Sequence, residues 1–355
     1  MKKFVFSEII NIIRKIVPIE RLVRLRMKTA AHREKKMKKK ILAIDIGGSK
    51  MLAGIVEMSR DGNTEEGAGW KSMILSAAGE SLPAEMTEEK ILEKIRTLAA
   101  SAAAQIAGTA SEKETLQEID AVGVTIPGLA DERVWIYAPF SGIQNFPIAE
   151  ALEQEFGRPV FIENDVNACA IAEGLLGACR GVRDFIWLTI SNGIGGGVVL
   201  DGRIYRGAKG FSGEFGHLCV AEDGELCGCG KRGCLEAECA GPGISRFYAR
   251  LTGEKIPASE IAERAEAGEP AALETFRREG KVLGRALANA ANILNPARII
   301  LGGGVARAWD LFYPTLEETF RKDIFRRANE DVLIERTALG YEAALLGAAV
   351  LPIAD

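Results

Sequence analysis

From residue 41 onward, short apolar runs alternate with glycine-rich breaks. Residues 41–46 (ILAIDI) have the continuous apolar character of a buried strand, stop at Gly47 and Gly48, and are followed by a second run over 51–56, which predicts strand, glycine turn, strand. A further strand is expected over 73–75. Between about residues 88 and 107, Ile91, Leu92, Ile95 and Leu98 recur at helical spacing behind Thr87, whose hydroxyl can cap the first turn. Ala121–Ile126 predicts a buried strand halted by Pro127 and Gly128. The theme then returns: a strand over 160–162 entering Glu163, Asn164 and Asp165, and an alanine-rich helix from about Asn167. Next come a strand over Phe185–Ile190, a glycine turn over 193–197 and a return strand over 198–200. A last strand over 298–301 runs into Gly302, Gly303 and Gly304 and then a helix. Two halves that each open with a glycine-turned hairpin predict a duplicated α/β fold, with lobes over 41–148 and 149–340 around a cleft.

Composition narrows the class. The 355 residues are 47% hydrophobic and 26% charged, enough to bury a core in each of two lobes. A net charge of −4 gives no overall attraction to nucleic acid. No apolar run approaches the roughly 20 residues of a membrane span. Asn11, Arg14 and Lys15 interrupt the N-terminal apolar residues, and no small-residue cleavage site follows, so no secretory signal is expected. Seven cysteines, an odd number partly crowded into one loop, point to the reducing cytoplasm and to metal binding. Residues 1–40 stand apart: Phe6, Ile9, Ile10, Ile13, Ile16 and Val17 at helical spacing precede Lys35, Lys36, Lys38, Lys39 and Lys40. They read either as a basic amphipathic helix with weak affinity for an anionic membrane surface or as an extension upstream of a working start at Met37, the latter preferred.

Three glycine turns at strand ends supply candidate chemistry. Phosphates need backbone N–H groups brought close, which glycine allows. Asp45, Gly47, Gly48, Ser49 and Lys50 offer such a turn, with a hydroxyl, a cation and a carboxylate placed to hold Mg2+ through water. Ser191, Asn192, Gly193 and Gly195 offer a second, and Gly302, Gly303 and Gly304 a third, where a flat adenosine could lie on bare backbone. One glycine hairpin is usually only a tight turn; three favour nucleotide binding. Neither a Walker pattern nor a dinucleotide fingerprint is present.

His217, Cys227, Cys229 and Cys234 place one imidazole and three thiols within one glycine-rich loop, the donor set of a closed structural Zn2+ site. Four protein ligands leave no open position, so this metal would fix the loop that presents Glu214 and Glu236. Cys219 and Cys239 break the spacing, Cys169 and Cys179 fall in an expected helix, and all four are expected to be small buried residues. Asp165, after a buried strand and before a helix, should project into the cleft, either as a general base or as the helix N-cap. Asn164 can donate to and accept from sugar hydroxyls. Glu163 competes as base but should face the other side of the strand end.

In order and spacing these residues resemble the ROK family of bacterial sugar kinases and sugar-responsive repressors. The match runs through residues 45–50, Pro127 and Gly128, 163–168 (ENDVNA), 193–197, 213–217 (GEFGH), 227–236 (CGCGKRGCLE) and 301–304, nearly everything from Ile41 on. The resemblance implies an actin-like ATPase/sugar kinase fold of duplicated ribonuclease H-like domains. Residues 341–355 would return as a helix to the N-terminal lobe, and the chain would form a homodimer. It implies transfer of the terminal phosphate of ATP to a hexose hydroxyl, glucose first, with Mg2+ and a structural Zn2+. Asp165 would be the general base. Asn164, Glu214, His217 and Glu236 would contact the sugar near Gly128, and His217 would hold zinc through its other nitrogen. Ser49 stands where the family usually has threonine, and Ser191 and Asn192 replace a common Gly-Thr. Residues 138–143 replace a frequent Pro-Asn-Leu, and Phe140 cannot make the asparagine's sugar contact, which keeps N-acetylmannosamine, N-acetylglucosamine and fructose in play. The family's repressors carry a winged helix-turn-helix, for which the first forty residues lack the paired helices and wing. A kinase without a nucleic-acid partner is therefore expected. An actin-like ATPase or chaperone fits the metal loop poorly.

Overall fold

The computed structural model describes residues 37–60, 69–83, 86–138 and 142–354. The expectations for residues 1–36 and for Phe140 concern residues outside those described. The first half consists of β1 (Met37–Ile46), β2 (Lys50–Arg60), β3 (Trp70–Ser81), α1 (Glu88–Ala104), α2 (Glu112–Gln117), β4 (Ala121–Ile126), β5 (Leu129–Ala130), β6 (Trp135–Tyr137), β7 (Gln144–Phe146), α3 (Ile148–Phe156) and β8 (Val160–Asn164). Then come α4 (Asp165–Leu176), β9 (Phe185–Ile190), β10 (Ile194–Leu200), β11 (Arg203–Ile204), α5 (Leu235–Cys239), α6 (Gly241–Thr252), α7 (Ala258–Glu266) and α8 (Pro270–Leu294). The chain finishes with β12 (Arg298–Gly302), α9 (Trp309–Asp323), α10 (Arg326–Asn329), β13 (Leu333–Arg336) and α11 (Ala343–Val350).

Two five-stranded sheets share one topology. The first has the order β3-β2-β1-β4-β8 and the second β11-β10-β9-β12-β13. In each, an antiparallel hairpin (β1–β2, β9–β10) is extended by two parallel strands. The strands β5, β6 and β7 form a small separate sheet. Because β8 pairs with β4, the first sheet runs past the expected boundary at 148/149 as far as Asn164.

Central strands read as unbroken apolar runs because both faces are covered. On β1, Leu42, Ile44 and Ile46 join the core under α1 with Ile91 and Ile95, while Ile41 and Ala43 face α11 with Leu345, Ala348 and Ala349. In the second half, Ile186, Leu188, Ile299 and Leu301 pack with Leu283 and Leu287 of α8 and with Phe312, Leu316 and Phe320 of α9. Thr87 caps α1, its hydroxyl accepting from Lys90 N–H at 3.3 Å.

Two sequence boundaries move. Lys38, Lys39 and Lys40, assigned above to the basic extension, are strand residues paired with Ser59, Met58 and Glu57, and Lys38 meets Glu57 at 2.8 Å. Backbone pairing with a long neighbour overrides the local charge. β3 extends over twelve residues, not three, because it is an edge strand whose mostly accessible side chains carry little hydrophobic signal.

The docking of α11 on the first sheet depends on Gly123 of β4, where a Cβ would lie 1.9 Å from the Ala348 carbonyl oxygen. A Gly123→Ala substitution should push α11 off and cost about 1–3 kcal/mol, the range for overpacking. Denaturant unfolding measures this, and an unchanged midpoint would contradict the docking.

Candidate active site

The parallel strands β1, β4 and β8 bring polar residues level at their C-terminal ends: Asp45 pairs with Thr125, and Thr125 with Glu163. Asp45 is buried, and its Oδ1 accepts the Thr125 hydroxyl at 2.8 Å. Burial raises its pKa above the usual 3.8, outweighing the lowering by Thr125 and by the Lys50 charge.

Asp165 is the first residue of α4, and the cap is its neighbour. The Asn164 side-chain oxygen accepts from the N–H groups of Val166 (3.0 Å) and Asn167 (3.1 Å), so the N-cap role, one of the two open to Asp165 by spacing, is filled by Asn164. The Asn164 amide nitrogen donates to the Gly128 carbonyl at 3.0 Å and to Asp165 Oδ1 at 3.1 Å. Gly128 presents that carbonyl from a left-handed conformation, φ 84°. The carboxyl of Asp165 is raised from 3.8 to about 7, first by desolvation and next by the charge of Asp45, against the lowering donors Val166 N–H and Asn164. Glu163 is occupied otherwise: Arg206 Nε donates to it at 3.0 Å, Asn164 N–H at 3.0 Å and Asn167 Nδ2 at 3.2 Å. These donors tie Glu163 into a network with Arg206 and Asn167.

The first glycine turn closes with Gly47 N–H donating to the Lys50 carbonyl at 2.8 Å, leaving Gly48 and Ser49 exposed. Lys50 donates to the Tyr341 hydroxyl, with its ammonium 4.2 Å from the ring centroid. The second turn sits on the first turn of α4, since a Cβ on Gly195 would lie 2.9 Å from Val166 Cγ2. Asn192 is exposed at its tip. The third lies beside the second: Gly303 has φ 86°, and a Cβ there would meet the Ile190 carbonyl oxygen at 2.4 Å. At Gly302 a Cβ would strike the Trp187 ring at 2.5 Å, whereas Gly304 has only Ser191 Oγ nearby, 3.8 Å from its would-be Cβ.

The ligand atoms of His217, Cys227, Cys229 and Cys234 all lie within 4.8 Å of one another. His217 Nδ1 is 3.7 Å from Cys227 Sγ, and Cys229 Sγ is 3.6 Å from Cys234 Sγ. The other imidazole nitrogen, Nε2, faces Glu214 at 3.7 Å. Gly233 turns the loop at φ 68°, where a Cβ would overlap the Ala221 carbonyl. Burial raises the Cys227 and Cys234 thiols, the latter to about 12, a cost that a bound dication would reverse by stabilising thiolates. The donor set and its closeness fit a tetrahedral metal. Cys234 leads directly into α5, whose Glu236 accepts from Ile194 N–H at 3.1 Å and packs where a Gly193 Cβ would be, 2.6 Å away. The cysteine-histidine cluster thus adjoins the helix that buttresses the second glycine turn. Cys169, Cys179 and Cys239 are buried as expected, but Cys219 is exposed, because its backbone bridges to Cys234 on the outside of the loop.

Thr125, Arg206 and Tyr341 escaped the sequence reading. Thr125 is one hydroxyl in an apolar strand, and the partners of Arg206 and Tyr341 lie 43 and 291 residues away, so no local pattern marks them.

Residues 41–354 match the model of the ROK family, and the chain belongs to that family. It is 31% identical over 332 residues to a glucokinase of Streptomyces coelicolor, covering 87% of this chain and 96% of that one. A ROK family glucokinase from Streptomyces griseus, solved in complex with glucose and AMPPNP, superposes with TM-score 0.70 at 31% identity, over 88% of this chain and 98% of that chain. The DNA-binding transcriptional repressor Mlc of Escherichia coli is 29% identical over 251 residues, 67% of this chain and 62% of the repressor. The fold is the two-lobed actin-like ATPase/sugar kinase fold.

Because Asp45 helps raise the Asp165 carboxyl, Asp45→Asn should move its titration below about 7 toward the ordinary carboxylate range. Carbon-detected NMR of the Asp165 carboxyl follows this; an unmoved midpoint would show that the two charges do not interact.

Proposed function

We propose that this protein is an ATP-dependent sugar kinase that transfers the terminal phosphoryl group to a hexose hydroxyl, with Asp165 as general base. The observation that carries the reading is a half-buried carboxyl, raised to about 7 beside the charge of Asp45, one residue before the Val166 side chain on which the second glycine turn packs. A base tuned near neutrality holds enough of its charged form to act and enough basicity to accept a proton. Asn164 orients it through the 3.1 Å amide contact, and the α4 N-terminus supplies donors that steady the carboxylate. Glu214, His217 Nε2, Glu236 and Asn164 would bind sugar hydroxyls. For Asn164 this means exchanging part of its present bonding to Gly128 and Asp165.

Gly47, Gly48, Ser49 and Lys50 on one lobe, with Asn192, Gly193 and Gly195 on the other, would grip the phosphates, and Gly302, Gly303 and Gly304 the adenosine. Asp45 would hold Mg2+, which when bound neutralises charge on the β- and γ-phosphate oxygens. His217, Cys227, Cys229 and Cys234 would hold Zn2+ in a closed, structural site. Likeness to glucokinases makes glucose the first substrate, phosphorylated to glucose 6-phosphate, with N-acetylhexosamines and fructose as alternatives. A cytoplasmic homodimer completes the reading.

A coupled ADP-release assay over hexoses and N-acetylhexosamines tests it. ADP should appear only with sugar, and Asp165→Asn should lower kcat by about 10²–10⁴-fold, the usual worth of a general base. In the wild type kcat should rise as pH passes upward through about 7, where Asp165 loses its proton, and fall below it; ADP release equal with and without sugar would refute the kinase. Elemental analysis should find one zinc per chain, lost in Cys229→Ser together with thermal stability. A zinc-free, fully stable wild type would remove the metal from this account.

A further inference from the structure

Glu173, in the third turn of α4, is wholly buried and takes no part in the chemistry above. Its carboxylate collects four donors from separate parts of the chain. Oε1 accepts from Ala178 N–H at 2.8 Å and Ala338 N–H at 3.2 Å. Oε2 accepts the Thr337 hydroxyl at 2.6 Å and Trp187 Nε1–H at 3.3 Å. Among the described residues no Lys or Arg forms an ion pair with it, so hydrogen bonds alone offset the burial of this side chain. Gly177 makes room: a Cβ there would sit 2.2 Å from Glu173 Oε1.

What these donors belong to gives the contact its meaning. α4 begins at Asp165, directly after the chain leaves the first sheet at Asn164. Residues 337–342 form the return crossover, linking β13 of the second sheet to α11, which packs on the first. Trp187 lies on β9, and its ring fills the space that a side chain on Gly302 would need, at the base of the third glycine turn. One carboxylate therefore joins both passages between the sheets and the support of the nucleotide turn.

We propose that Glu173 is a positioning residue for the phosphoryl transfer: it locks the helix that starts with Asp165 to the strand beneath the third glycine turn and to the return crossover, holding base and nucleotide turn at a fixed separation. This rests on the kinase reading above. In-line transfer tolerates little misplacement, so loosening the lock lowers turnover more than it weakens binding.

Thr337 provides the discriminating pair of variants, because Glu173 replacements risk unfolding. Thr337→Val keeps the shape and deletes the hydroxyl donor; Thr337→Ser keeps the donor and deletes a methyl. Thr337→Val should lower kcat by about tenfold, with KM for sugar and ATP within about twofold of wild type, as expected for one lost charge-assisted hydrogen bond. Thr337→Ser should retain wild-type kcat. Because the Thr337 hydroxyl also accepts Leu339 N–H at 3.2 Å, exchange is read at the amides that donate to Glu173: it should speed up at Ala178 and Ala338 in Thr337→Val and not in Thr337→Ser. A fall in Thr337→Ser as large as that in Thr337→Val, a KM change with kcat intact, or two unchanged variants overturns the proposal. If wild type shows no sugar-dependent ADP release, the kinase reading fails. The exchange comparison still decides whether the hydroxyl–carboxylate lock exists, faster exchange in the valine variant alone supporting it and equal exchange overturning it.

Discussion

Two acidic side chains, Asp45 and Asp165, are held near one another at the edge of a sheet where water is largely displaced, and most of the site's construction follows from keeping them there. Burial raises the carboxyl of each, and the charge of Asp45 raises that of Asp165 further. The parallel register of β1 and β4 sets Asp45 against Thr125, whose hydroxyl partly compensates the burial. Asn164 takes over the capping of α4 and frees Asp165 from it, while its amide group tethers the carboxyl to the Gly128 turn. The helix N-terminus favours negative charge, yet desolvation and Asp45 together prevail, leaving a carboxyl near neutrality.

The second half of the molecule brings the remaining parts to that edge. It repeats the hairpin-plus-parallel arrangement of the first, so its glycine turn after β9 meets the start of α4. Packing there is close enough to exclude side chains: Gly195 against Val166, Gly193 against Glu236, Gly303 against the end of β9. The cysteine-histidine group stiffens this region from outside. It places Cys234 one residue before the helix that holds Glu236, and turns the free nitrogen of His217 toward Glu214. Arg206, from the same half, reaches across and donates to the Glu163 carboxylate.

Much of this could be read from residue order, because strand ends, glycine turns and clustered ligands are local features. The apolar runs marked β1, β4, β8, β9 and β12, and the spacing of His217, Cys227, Cys229 and Cys234 marked the metal group. Where reading failed, long-range structure had the say. Lys38, Lys39 and Lys40 looked like a basic tail and are strand residues because β2 pairs with them. The edge strand β3 was foreshortened, since accessible side chains leave no periodic trace. Spacing left open whether Asp165 caps α4; side-chain reach gives the cap to Asn164. Glu173 was silent because its donors come from residues 187, 337 and 338.

Whether Asp165 accepts the proton of the attacking sugar hydroxyl can be seen in a crystal structure with the sugar that turns over and a non-hydrolysable ATP analogue. One sugar hydroxyl should lie within about 2.6–3.2 Å of the Asp165 carboxylate, in line with the γ-phosphorus and between the turns at 47–50 and 191–193. A sugar bound with every hydroxyl beyond reach of Asp165, or an Asp165 carboxylate turned away from the cleft, would contradict it.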